Sequence, residues 1–186
     1  MKYFKLIYLS VFCGLISVLS FFNIIYSYYF NLYLNLNTYV WTFFISLLFF
    51  IIFYFYKDKE EKKDSIYEKI ITIVFGYFFL PLIISIPFYF SIYDLTFLNS
   101  YFESISGFTS TGFTIFDNIK QIDTSLILWR STSQWIGGLY FLFSLLLLID
   151  IFDDNLKKSV TNYITFNSSE VYKQSFKIIT LYALLT

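Results

Sequence analysis

The side chains best suited to act on a solute lie together in one stretch, Phe102-Glu103-Ser104-Ile105-Ser106-Gly107-Phe108-Thr109-Ser110-Thr111-Gly112-Phe113-Thr114, rich in hydroxyls and holding two glycines. Stripping water from a monovalent cation is costly unless several oxygen dipoles replace it at a fixed radius. The backbone carbonyls of Thr109, Ser110, Thr111, Gly112 and Phe113, aided by the threonine and serine hydroxyls, offer such dipoles. Gly112 permits backbone angles that aim successive carbonyls the same way. Such a site needs no carboxylate, so Glu103 and Asp117 need not touch the ion.

Other chemistries lack their partners. A serine or threonine nucleophile needs a base, and the chain has no histidine and no lysine or carboxylate at a recognisable spacing from these hydroxyls. An enzyme is not expected. With no histidine and only Cys13, the common nitrogen and sulfur metal ligands are missing, and Cys13 reads as a small buried hydrophobe. No phosphate-cradling glycine loop and no basic, aromatic nucleic-acid surface is present. Responses to nucleotides would have to come from a partner.

The elements that must position the polar stretch are apolar. At 58% hydrophobic and 14% charged residues, with mean hydropathy +0.65, the chain of 186 residues is too apolar for a soluble domain. It reads as an all-α integral membrane protein. Apolar runs extend from Leu6 to Phe30, Thr38 to Tyr56, Ile70 to about Tyr93 and Leu126 to Ile149, and a fifth begins at Ile178. At about 1.5 Å per residue the first four can cross a hydrocarbon core of about 30 Å. Pro81 and Pro87 fall in the third run, where a membrane helix tolerates a kink. The basic residues Lys2 and Lys5 before the first run also suit a signal peptide. The run is too long for that, no small-residue cleavage site follows, and bulky Phe12 before Cys13 does not suit lipoprotein processing, so a retained helix is expected.

This divides the chain into an N-terminal transmembrane hairpin with its charged connector (1–69), a helix–pore loop–helix repeat (70–150), and a connector with the start of a further helix (151–186). All basic residues except Lys120 and Arg130 fall at the N-terminus or in the connectors. The positive-inside rule then puts the N-terminus in the cytoplasm and the polar loop outside. Trp41, Trp129 and Trp135 are expected near span ends, in the headgroup belt. Within the loop, Asp94-Leu95-Thr96 offers capping side chains and Phe97 to Ser106 a helical pattern. This short helix is expected to dip inward and stop at Gly107, in the left-handed conformation. Its partly negative end would then favour a cation at the turn, and Thr109 to Phe113 would return in extended form.

The stretch Phe102 to Thr114, followed by Leu128-Trp129-Arg130-Ser131 and Gln134-Trp135-Ile136-Gly137-Gly138, resembles the first pore repeat of the Trk/Ktr-type potassium uptake proteins. Ser110 stands where that filter motif has threonine, and Phe113 where a smaller residue is common. The resemblance covers about residues 94 to 140. It implies four fused helix–loop–helix repeats around one pore, K+ as the transported ion through the carbonyls of Ser110, Thr111 and Gly112, and Na+ as a possible second ion. It also implies pairing as a homodimer in the lipid bilayer of a bacterial inner membrane and a cytosolic nucleotide-binding regulatory subunit. One repeat of four makes this chain look like the N-terminal part of a longer transporter. Two other readings stand beside it: a homotetrameric two-helix channel subunit, and a non-conducting membrane scaffold.

Supporting residues carry paired readings. Arg130 either pairs with Glu103 behind the filter or snorkels to the headgroups. Gly137 and Gly138 either admit the short helix closely, as expected, or bend the span. Ser106 and Gly107 belong to the support of the loop. Gly14 and Gly76 read as packing positions. Asp150, Asp153 and Asp154 form either a cation-gathering vestibule or, as expected, a solvated helix end.

Overall fold

A computed structural model describes residues 6–56, 66–91, 93–119, 122–152 and 171–186. Among the described residues the regular elements are helices: α1 (Leu6–Tyr29), α2 (Leu36–Phe55), α3 (Ile66–Ile84), α4 (Ile86–Tyr89), α5 (Phe97–Phe108), α6 (Thr124–Phe152) and α7 (Val171–Leu185). Four continuous apolar segments, Leu6–Tyr29, Leu36–Phe55, Tyr67–Tyr89 and Thr124–Leu148, are 20 to 25 residues long. At about 1.5 Å per residue each reaches about 30 Å or more. Phe21, Phe22, Trp41, Phe44, Leu48 and Phe55 point outward, as side chains do when the solvent is lipid. The chain is an all-α integral membrane protein.

α1 and α2 meet along a seam of small polar side chains. Ser10, Cys13, Ser17, Ser20, Asn23 and Ser27 recur every three or four residues on α1, all buried, opposite buried Thr38, Thr42 and Ser46 on α2. Lipid tails give apolar residues no reason to associate, so membrane helices pair where small residues let the backbones approach. Several hydroxyls are satisfied within their own helix: Ser10 Oγ donates to Ile7 O, Thr42 Oγ1 to Thr38 O and Ser46 Oγ to Thr42 O, all at 2.7 to 2.8 Å. Gly14 lets the Phe50 ring in, at 3.1 Å from where a Cβ would stand.

The aromatic core joins α1, α3 and α6. Phe12 makes edge contacts to Tyr140 and Phe143, and Tyr140 to Tyr77. Tyr140 Oη donates to Ile73 O at 3.0 Å, which Gly76 permits, because a Cβ there would lie 1.9 Å from that oxygen.

Several boundaries differ from those read in the chain. The third run breaks at Ser85, with Pro87 in the first turn of α4, where its missing N–H costs least. At that break Trp129 Nε1 donates to Ile84 O at 3.0 Å. Trp129 is therefore fully buried in the bundle rather than turned to a headgroup belt; Trp135 packs on Tyr182 of α7, and Trp41 is exposed on α2. α7 starts at Val171, ahead of the apolar run at Ile178. The charged connector 57–65, Lys120, Asp153 and Asp154 lie outside the described residues, as does the side chain of Asp150.

Gly76→Val is expected to lower stability by about 1–3 kcal/mol, the usual cost of overpacking. Loss of folded protein on heating in detergent, compared with the parent, checks it; an unchanged profile contradicts the packing described.

Candidate functional site

α5 is too short to cross a membrane. Its 12 residues extend about 18 Å, roughly half of a 30 Å core. Thr96 caps its start, with Oγ1 accepting from Asn99 N at 3.3 Å. The faces of the helix suit its surroundings: Phe97, Leu98 and Phe102 are exposed, while Ser100, Glu103, Ser104 and Ser106 are buried against its neighbours. Tyr101 Oη donates to Phe78 O and Ser104 Oγ to Pro81 O, both at 2.9 Å, binding α5 to α3.

The far end of α5 rests on the middle of α6. Gly137 stands about 20 Å along α6 from Thr124, and a Cβ on it would be 1.7 Å from the Phe108 carbonyl oxygen. Only glycine admits that approach. Gly138 serves a different neighbour, Tyr182 of α7, whose Oη lies 2.5 Å from a Cβ built there. α5 is thus about half the length of its neighbours, docks onto two of them, and ends beside the middle of α6.

Gly107 does not end the helix, contrary to its expected role. α5 continues through Phe108, Thr109 caps it at φ −84°, and Ser110 takes the left-handed conformation at φ 57°. Gly107 is needed for closeness, since a Cβ there would lie 2.4 Å from Ser133 Oγ of α6. Nor is the return simply extended. It opens with a turn at Thr109 and Ser110, and Gly112 has φ 79°. Positive φ thus alternates with negative: Thr109 and Thr111 on one hand, Ser110 and Gly112 on the other. Successive carbonyls of an ordinary strand point to opposite sides, and alternating φ sign turns them toward one side, with the N–H groups toward the other.

The last carbonyls of α5 are used within the turn. Ile105 O accepts from Thr109 N and Oγ1, Ser106 O from Thr111 N and Oγ1, and Gly107 O from Ser110 N, at 2.8 to 3.2 Å. Oxygen ligands for an ion would therefore come from the return segment rather than from the helix end itself. Residues 109–113 are exposed. A recess of about 440 Å³ lies beside the turn, lined by Tyr77, Phe108, Thr109, Ser110, Gly137, Gly138 and Phe141.

Behind the return segment sits Glu103, with no exposed surface. Its carboxylate accepts from Arg130 Nε, from Ile115 N at 3.0 Å and from Thr114 Oγ1 at 3.0 Å. Arg130 also extends Nη2 toward Gly112 O at 3.4 Å and Phe113 O at 3.5 Å. Ser106 Oγ donates to Phe113 O at 2.6 Å. One buried ion pair and one serine thus hold the outgoing chain at three successive residues, Phe113, Thr114 and Ile115. The structure brings Glu103, Ser106, Arg130 and the return segment together. Thr114 is a holding residue with no signal in the chain beyond its hydroxyl, and Asp117 takes no part in this cluster.

A half-length helix and an irregular return segment, packed against two helices long and apolar enough to cross a membrane, make this an all-α membrane protein with a polar loop between spans. The model of the TrkH cation transport proteins matches residues 35–174, and the chain belongs to that family. Among its relatives, an uncharacterized cation transporter of Methanocaldococcus jannaschii is 30% identical over 132 residues, 70% of this chain and 27% of that protein. The Trk system potassium uptake protein TrkI of Halomonas elongata is 40% identical over 60 residues, 32% of this chain and 11% of its own. TrkH of Escherichia coli K12 is 29% identical over 99 residues, 53% of this chain and 20% of its own. The chain thus spans about a quarter of the first relative's length and less of the other two. No solved structure matches it.

Glu103→Gln and Arg130→Gln should each destabilise by about 3–5 kcal/mol, because each strands the other's buried charge. The double variant should recover part of that loss, and a double-mutant cycle on thermal unfolding measures the coupling; additive losses contradict a direct pair. Gly137→Ala should displace the end of α5 at about 1–3 kcal/mol, read as faster proteolysis of the loop.

Proposed function

We propose that the chain is a membrane subunit, or part of one, that passes K+ through a pore to which it contributes one of four loops. The observation that carries this is the return segment itself: exposed residues with backbone of alternating hand, fixed from behind by Glu103, Arg130 and Ser106. Thr109, Ser110, Thr111 and Gly112 present oxygen dipoles along one side, and the carbonyls of Ser110, Thr111 and Gly112 take the place of the ion's water. Phe113 anchors the far end through its carbonyl. Family membership and the likeness to the potassium uptake proteins TrkI and TrkH support K+ as the ion. The rest of the pore comes from three further loops, and the assembly pairs as a dimer in the cell membrane, N-terminus inside, with a cytosolic nucleotide-binding partner.

Gly112 offers the sharpest test. A Cβ there meets nothing within 4 Å, yet φ is 79°, so any L side chain is opposed by the backbone alone. In cells lacking their own K+ uptake and expressing the complete polypeptide, Gly112→Val should cut K+ uptake at least about tenfold, the factor that 1.4 kcal/mol brings, at equal membrane abundance. Uptake at the parental rate would overturn the filter assignment. Uptake by a stable tetramer of this chain alone would instead favour the channel reading.

A further inference from the structure

A second polar cluster lies away from the return segment, where the α1–α2 hairpin meets the start of α6. Its centre is Asp123, the residue before α6. Asp123 Oδ2 accepts from Asn35 Nδ2 at 2.8 Å and from Ser125 Oγ at 2.7 Å. Its backbone N donates to Tyr93 Oη at 2.6 Å, and its carbonyl accepts from Leu126 N at 2.9 Å. Since the one Ser125 hydroxyl proton is committed to the carboxylate, the 3.0 Å contact between Tyr39 Oη and Ser125 Oγ has tyrosine as donor. Asn23 Nδ2 adds a 3.5 Å contact to Ser125 O. Asn35, Tyr39, Asn23 and Ser125 are fully or almost fully buried. Four parts of the chain thus converge on one carboxylate and its helix cap: α1, the hairpin turn with α2, the segment before α5, and α6.

Buried polar groups in a protein cost little only when every partner is in place, and a network of them selects one arrangement over its neighbours. This one sets the rotation of α6. From the Asp123 cap, Trp129 and Arg130 follow about 10 Å along the same rigid helix. The Tyr39 ring packs on Trp129 at 6.0 Å between centroids, and the Trp129 indole holds the α3–α4 break at Ile84 O. Arg130 pairs with Glu103. A slip of α6 by one residue would turn it by about 100° and carry Arg130 away from Glu103.

We propose that the Asn35–Asp123 clamp makes the N-terminal hairpin a positioning element for the return segment. Through Asp123 and Ser125 the hairpin fixes the rotation of α6, and through Arg130 and Glu103 that rotation fixes Phe113 to Ile115. Asp123 and Asn35 are positioning residues, with no contact to an ion. The consequence for ion passage rests on the pore reading above; the mechanical linkage does not.

The test is a donor–acceptor swap read at a distance. Asp123→Asn keeps size and helix-capping ability but removes the charge and leaves one accepting end, so the side chain cannot accept from Asn35 and Ser125 Oγ at one oxygen and from Ser125 N at the other, as the carboxylate does. Asn35→Asp in the same chain returns a carboxylate to the pair, with the amide at 123 as its donor. A reporter cysteine, Ile115→Cys, reads the return segment by its rate of maleimide labelling in detergent, and native Cys13, fully buried in α1, reads the integrity of the hairpin. Asp123→Asn should raise labelling at 115 at least about threefold with Cys13 still shielded, and the swap should bring it back to within about twofold of the parent.

Unchanged labelling at 115 in Asp123→Asn, or no recovery in the swap with Cys13 shielded, overturns the linkage. If Asp123→Asn exposes Cys13 as well, Tyr39→Phe decides: it removes one hydroxyl from the network and should still speed labelling at 115, and an unchanged rate refutes the proposal. In the complete polypeptide, Asp123→Asn should narrow the ratio of K+ to Na+ uptake at equal abundance. A parent that carries no K+ defeats the pore reading and leaves the labelling result standing, whereas a parental ratio in the variant defeats the clamp's bearing on selectivity and leaves the pore reading standing.

Discussion

A carboxylate withdrawn from both water and lipid must collect donors and a counter-charge, or it will not stay ionised where it is. Glu103 meets that demand with one guanidinium, one hydroxyl and one backbone amide, and those donors lie on two separate pieces of chain: α6 and the segment that follows Gly112. The return segment therefore has no free choice of path. Glu103 and Arg130, one on α5 and one on α6, decide where its backbone stands. Ser106 completes the hold from the helix itself, and the Thr109–Ser110 turn uses up the helix-end carbonyls.

Glycine makes this arrangement possible by absence. At Gly107 and Gly137 the missing side chain lets α5 settle onto α6 at backbone contact distance, which is what brings Glu103 within reach of Arg130. The hairpin seam applies the same logic with serine and threonine: the hydroxyls of Ser10, Thr42 and Ser46 turn back onto their own helices and leave a surface nearly as slim as alanine. In a bilayer, where apolar burial does not drive helices together, closeness of this kind supplies the dispersion contacts that do.

Much of this was legible in the residue order. Four long apolar runs, the polar interval and the capping Thr96 need only composition and period to be seen. What could not be read depended on neighbours distant in the chain. A glycine after a helical pattern suggests a terminator, and only Ser133 of α6 shows that Gly107 is there for clearance. Serine gives no sign of a left-handed backbone, so Ser110 took that role unannounced. The start of α7 hid because Lys173 and Lys177 face outward there while Ser175 and Ile178 turn inward, which dilutes hydropathy without disturbing the helix. Trp129 was assigned to the membrane surface by habit of residue type, yet its indole proton was required at a break fixed by Pro87.

The open space around Gly112 separates two properties that usually travel together. Nothing crowds the position, so what opposes a side chain there is the hand of the backbone, the same hand that Ser110 adopts two residues earlier against the preference of an L-residue. A D-amino acid would sit at 112 with its side chain in the empty volume and its torsions at ease, and glycine, being achiral, meets neither obstacle.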